Sequence, residues 1–209
     1  MKNKSYKTVI VISPSHAEYF PGISIYDGDA YETPLGIVEI DKDMTEKIVN
    51  NSKVIFKGIQ GHRKEHALEV QIPFLQSVLK DFKIVPIVMG DQSKMFVDHL
   101  VEKISEVVDE ETLVVASSDM SHFYSSEEAD RLDSVVEQRI NDFDFEQLLK
   151  DLDDKECEAC GGGPIAVMMK AASLKNISKS YVINRSDSGD ITGDKSEVVG
   201  YLSAVIYDN

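Results

Sequence analysis

Two histidines and a cysteine stand where side chains often do chemistry. His16 ends the run T-V-I-V-I-S-P-S-H, and His122 ends the run V-V-A-S-S-D-M-S-H. Cys160 precedes three glycines, after which Pro164 opens an apolar segment typical of a helix. Imidazole and thiolate are ligands of transition-metal ions. A Cys/His pair can also act as nucleophile and base. The residue types alone leave both possibilities open.

The elements that must position these groups are two short apolar strands. The runs Thr8–Pro14 and Leu113–Ala116 are rich in β-branched residues, which is typical of strands buried on both faces of a parallel sheet. Parallel strands end at one edge, where α/β sheets bind ligands. We therefore expect both imidazoles to line one cleft, together with Ser15. The sulfur of Cys160 would face them from a helix N-terminus, whose dipole stabilises a thiolate.

Each of these residues also has a purely structural interpretation. Asp119 follows a strand, where Asp commonly caps a turn. His122 stands beside Phe123 and is compatible with a packing role. Cys157 and Cys160 form a C-x-x-C pair, but no second pair exists to complete a zinc site. The glycines are harder to explain structurally, since Gly161 and Gly162 cost backbone entropy and imply a close approach.

The wider pattern predicts an α/β fold: a three-layer sandwich with a mostly parallel central sheet in one domain over residues 1–209. The apolar spacing of Glu65–Phe82 predicts a helix, which either starts near Ile72 with Pro73 in its first turn or is kinked at Pro73. A strand is predicted at Tyr181–Asn184, and Val198–Tyr207 reads as the closing strand.

Composition argues against several classes of function. The formal net charge of -15 disfavours binding to nucleic acid or to anionic membranes. No stretch approaches the ~20 apolar residues of a membrane helix, and the apolar run after the start is too short for a signal-peptide core. These observations predict a cytoplasmic protein. Two cysteines make no disulfide framework.

Five motifs in order, spread over nearly the whole chain, resemble one family. They are I-S-P-S-H, E-H-A-L-E-V-Q-I-P-F-L, S-S-D-M-S-H, A-C-G-G-G-P-I and S-G-D-I-T-G-D-K-S-E-V-V-G-Y. Together they are similar to the Memo family, known in prokaryotes as AmmeMemoRadiSam system protein B. The family is similar in fold to class III extradiol dioxygenases, which use non-haem iron.

The resemblance implies roles for particular residues. His16 and Cys160 match metal ligands, so Fe(II) or copper is the implied cofactor. His122 matches the acid or base of the dioxygenases, with Asp119 in the same pocket. His66 matches a further histidine near the cleft.

The resemblance also implies an additional N-terminal segment with a Pro-His-Ala-Gly-Tyr motif that carries another ligand histidine. No Pro-His-Ala-Gly motif occurs in this sequence. Of three expected protein ligands, His16 and Cys160 remain. We expect either that His122 or His66 replaces the third ligand, or that metal binding is weak or absent. We also expect an apolar flank that a second copy or a partner chain would cover.

Three functions follow as hypotheses. The first is a metal-dependent oxidoreductase, and the second is a non-catalytic module that binds a small ligand, peptide or partner protein. The third is a hydrolase with Cys160 as nucleophile and His122 as base.

Overall fold

The structure is a computed structural model that describes residues 5–208. The chain divides into two compact units, residues 1–117 and 118–209. The expectation of a single domain stays a prediction.

The first unit contains a five-stranded sheet of order β5-β2-β6-β1-β7, a separate hairpin of β3 and β4, and three helices. Its elements are β1 (Thr8–Pro14), β2 (Ile23–Tyr26), β3 (Ala30–Thr33), β4 (Gly36–Glu39), α1 (Lys42–Val49), β5 (Ile55–Gly58), α2 (Gln71–Val78), β6 (Lys83–Met89), α3 (Lys94–Val107) and β7 (Thr112–Ala116).

The central sheet is mostly parallel. β1 pairs in parallel with β6 and β7, β2 pairs in parallel with β5, and only the pairing of β2 with β6 is antiparallel. Val9 and Val11 pack in one cluster with Ile72 of α2. Ile10 and Ile12 alternate with them along β1 and therefore point to the opposite face. The predicted α/β class is confirmed, and the layering is consistent with a three-layer sandwich.

The structure agrees with the alternative in which the helix of the Glu65–Phe82 segment starts near Ile72. It begins at Gln71 and ends at Val78, and Pro73 lies in its first turn, where proline removes no intrahelical hydrogen bond. Residues 67–70 form turns, and residues 65 and 66 precede them without regular secondary structure. The Glu65 carboxylate accepts the backbone N–H groups of the next two residues, which satisfies them outside a helix.

The second unit contains an antiparallel sheet of order β8-β10-β9 and four helices. Its elements are β8 (His122–Tyr124), α4 (Ser126–Asn141), α5 (Phe145–Asp153), α6 (Gly162–Leu174), β9 (Lys179–Asp187), α7 (Gly189–Thr192) and β10 (Val198–Tyr207). α4 packs on β9 and β10, and α5 packs on α6. The closing strand has the predicted bounds, whereas β9 is longer than predicted.

Among residues 5–208, no helix combines the length and the apolar character needed to cross a bilayer.

Candidate functional site

In the first unit, His16 lies just beyond the carboxyl end of β1 and is held by Glu65. The His16 Nδ1 lies 2.9 Å from one Glu65 carboxylate oxygen, and the His16 backbone N–H donates to the other at 2.6 Å. The His16 side chain is 51% exposed, whereas that of Glu65 is 2% exposed. A buried acid therefore anchors an imidazole that remains open to solvent.

Glu65 is held as a carboxylate by several donors. Burial acts to raise its pKa, but hydrogen bonds from the backbone and ring of His16 and from the backbone of Ala67 outweigh it, so the pKa of Glu65 is lowered. A carboxylate accepts and cannot donate, so the His16 Nδ1 carries the proton that it shares with Glu65. In neutral His16 the lone pair is then on Nε2.

The carboxyl ends of β1 and β7 lie at the same edge of the sheet, as the sequence predicts. The two strands are parallel neighbours, and the Ser117 N–H donates to the Ile12 carbonyl at 2.8 Å. Ser15 is half-buried, and its hydroxyl donates to the Glu18 carbonyl at 2.5 Å, which closes the turn after β1.

The His66 side chain is exposed, unlike that of the neighbouring Glu65. It is 82% exposed, and the His66 Nδ1 lies 3.3 Å from Glu69. That it contributes to a cleft stays a prediction.

In the second unit, Cys160 and Asp119 exchange two hydrogen bonds. The Asp119 N–H donates to the Cys160 Sγ at 3.1 Å, and the Cys160 N–H donates to the Asp119 carbonyl at 3.1 Å. The Ser118 hydroxyl accepts the Gly161 N–H at 2.8 Å and lies 3.9 Å from the sulfur. A backbone N–H aimed at sulfur stabilises the negative charge of a thiolate.

His122 opens β8 and lies near the Asp119 carboxylate. Its Nε2 is 4.0 Å from Asp119 Oδ2, close enough for a charge interaction and too far for a direct hydrogen bond. The next residue, Phe123, has φ of +65° and an exposed ring, which is a strained conformation for an aromatic residue. Strained backbone of this kind clusters at functional sites.

The glycines after Cys160 permit a close approach between helices. Gly161 caps the N-terminus of α6. A Cβ on Gly162 would lie 2.3 Å from Leu152 Cδ1 of α5. The close approach predicted from the glycines is therefore found at Gly162, where α6 packs against α5.

Cys157 is a different kind of thiol from Cys160. It is 1% exposed, and burial followed by the nearby charge of Asp151 raises its pKa to about 11. Both cysteines lack a disulfide, and Cys160 is half-buried. The C-x-x-C spacing thus joins one inert thiol to one that is more accessible.

Sequence comparisons assign the chain to a family. The profile described as Memo-like protein matches residues 1–205. The chain belongs to the Memo-like family. It is 35% identical to a MEMO1 family protein of Thermoplasma volcanium, over 98% of this chain and 76% of that protein. It is 38% identical to a MEMO1 family protein of Aquifex aeolicus, over 94% of this chain and 74% of that protein.

For this Memo-family chain, the structure adds residues that sequence reasoning missed. Glu65 and Ser118 fix His16 and the segment around Cys160, and neither is marked as functional by its residue type alone. Glu65 stands directly before His66 in a quoted motif, which was the available signal. Within each unit the geometry joins His16 to Glu65, and Cys160 to Asp119 with His122 beside it. That all of them share one cleft stays a prediction.

The described residues contain no group of three or more His, Cys, Asp or Glu side chains that could hold a metal ion.

Proposed function

We propose that this Memo-family protein is a metal-dependent oxidoreductase that holds Fe(II) or a copper ion through His16 and Cys160. The observation that carries the proposal is the sulfur of Cys160, which accepts a backbone N–H at 3.1 Å at the start of α6. Hydrogen bonds around a cysteine sulfur are a recognised means of tuning a thiolate-bound metal.

The chemical types of the two donors, an imidazole nitrogen and a thiolate sulfur, suit iron or copper. Imidazole suits both iron and copper, and a neutral His16 offers the lone pair of Nε2. Thiolate shifts the preference towards softer ions such as Cu(I). The number of protein ligands is too small for a complete metal site, because no group of three donors occurs in residues 5–208. The proposal therefore needs at least one further ligand from solvent, substrate or a partner.

A bound iron or copper ion would supply one-electron chemistry. The chain's own residues would orient and move protons. His122 would take up or release a proton, and the Asp119 carboxylate at 4.0 Å would stabilise the protonated imidazole. Ring cleavage does not follow, since likeness of fold does not fix the reaction and a thiolate is softer than the usual ligands of ring-cleaving enzymes.

The test is the metal content of protein purified from cells supplied with iron or copper, measured by mass spectrometry. We expect close to one ion per wild-type chain and at least a tenfold loss in His16→Ala and Cys160→Ala. His99→Ala is the control, since His99, on α3, hydrogen-bonds to Ser52 and has no proposed role. Metal-free wild-type protein, or equal metal in wild type and Cys160→Ala, would contradict the proposal.

A second candidate is a non-catalytic module that binds a small ligand, a peptide or a partner protein. The absence of a three-donor group from the described residues favours it. A thermal-shift screen separates the two. A metal at 100 times its Kd would stabilise the fold by ~2.7 kcal/mol, about 5–10 °C for a chain of this size. Stabilisation by peptides and by no metal would favour the binding module.

A further inference from the structure

The geometry points to Glu65 as the positioning residue for His16: it fixes both the direction of the ring and the nitrogen that carries the proton. No other acid makes comparable contacts to this histidine among the hydrogen bonds of residues 5–208. The role of the ring as a metal donor rests on the proposed function, whereas its orientation and tautomer do not.

The acceptor capacity of Glu65 is used almost completely. One carboxylate oxygen accepts from the His16 ring at 2.9 Å, from the His66 N–H at 3.0 Å and from the Ala67 N–H at 2.9 Å. The other accepts the His16 backbone N–H at 2.6 Å. All four partners are donors, so the site requires a group with two acceptor oxygens and no hydrogen of its own.

These contacts fix both the backbone and the side chain of His16. The backbone bond holds the residue at the end of β1, and the ring bond sets the side-chain rotation. A half-exposed imidazole without such an anchor would exchange between rotamers and tautomers. Here Nδ1 is committed to Glu65, and Nε2 is presented with its lone pair. Histidines that bind metals through one nitrogen usually donate the other N–H to a carboxylate or carbonyl in this way.

Glu65→Gln is the informative variant because glutamine has nearly the same shape. Its side chain offers one acceptor oxygen and one amide nitrogen, and in either orientation the amide hydrogens face a donor N–H. The network therefore loses at least one bond. Glu69→Gln is the matched control, since it removes the exposed carboxylate partner of His66 on the same segment.

The first measurement is ¹⁵N NMR of the histidine rings in metal-free protein at a pH where His16 is neutral, with His16→Asn to assign its signals. In wild type we expect a protonated Nδ1 and an unprotonated Nε2. Glu65→Gln should shift this balance towards protonated Nε2, and Glu69→Gln should leave it unchanged. A wild-type ring protonated at Nε2 would overturn the inference without any variant, even if Glu65→Gln fails to fold.

The second measurement is a titration of the same proteins with Cu(I) or Fe(II) alone. If the proposed function holds, Glu65→Gln should bind 10- to 100-fold more weakly than wild type, and Glu69→Gln equally well. Wild type that binds no metal would refute the proposed function and leave the tautomer result standing. Metal binding unchanged by Glu65→Gln, with an unchanged tautomer, would refute the role of Glu65 alone.

Discussion

The two thiols should differ in alkylation rate by about a hundredfold or more in the folded protein. Burial and then the charge of Asp151 raise the pKa of Cys157 from an ordinary 9.0 to about 11. At pH 8 about 0.1% of such a thiol is ionised, compared with about 9% of an ordinary one, and only the thiolate reacts. The 1% exposure of Cys157 slows access further. Cys160 is half-buried at the start of α6 and should carry nearly all of the label.

The assay is a time course of iodoacetamide labelling at pH 8, with each cysteine followed by peptide mass spectrometry. Cys160→Ser isolates the slow thiol, and Cys157→Ser isolates the fast one. Labelling in urea is the control, since both thiols should then react alike. The reasoning fails if Cys157 in the folded wild type reacts within tenfold of Cys160.

Three further predictions concern stability, each measured by urea unfolding. Burial lowers the pKa of His62 from 6.5 to about 4. Keeping His62 neutral therefore contributes up to ~3 kcal/mol to the free energy of unfolding. That contribution is present above pH 6.5 and is lost as the pH falls to 4, and His62→Gln should flatten the pH profile there; equal slopes would contradict this. Gly200→Ala should lower the free energy of unfolding by ~2–3 kcal/mol, because the new Cβ would lie 1.8 Å from the buried Asp133 carboxylate on α4. A variant as stable as wild type would show that α4 shifts to make room at little cost. Asp41→Ala should cost ~1–2 kcal/mol, because the carboxylate caps α1 by accepting the Met44 N–H; no loss would mean that the cap is replaced.

The buried strands could be predicted from the sequence because their signals are local. β1 is a continuous β-branched run that ends at a proline, and β10 has the predicted bounds. Pairing partners are not local. β10 pairs antiparallel with β8 and β9 in a separate sheet, which no periodicity in the strand itself indicates.

The sequence allowed the candidate site residues to be predicted from their chemical type, but it did not reveal the contacts between them. His16 and Cys160 stand out because imidazole, thiol and consecutive glycines are chemically distinctive. Glu65 does not, since a glutamate in a charged segment usually faces solvent. Only the fold shows that it is buried and that four donors converge on it. The helix accordingly begins at Gln71, close to the alternative start near Ile72 that places Pro73 in its first turn.

The absorption spectrum of the protein titrated with Co(II) tests the proposed metal site most directly. A cysteine ligand produces a thiolate-to-metal charge-transfer band that nitrogen and oxygen ligands do not. We predict this band in wild type, its loss in Cys160→Ser, and a weakened titration in His16→Ala. Co(II) bound without the band, or an identical band in Cys160→Ser, would contradict the assignment of Cys160 as a metal ligand.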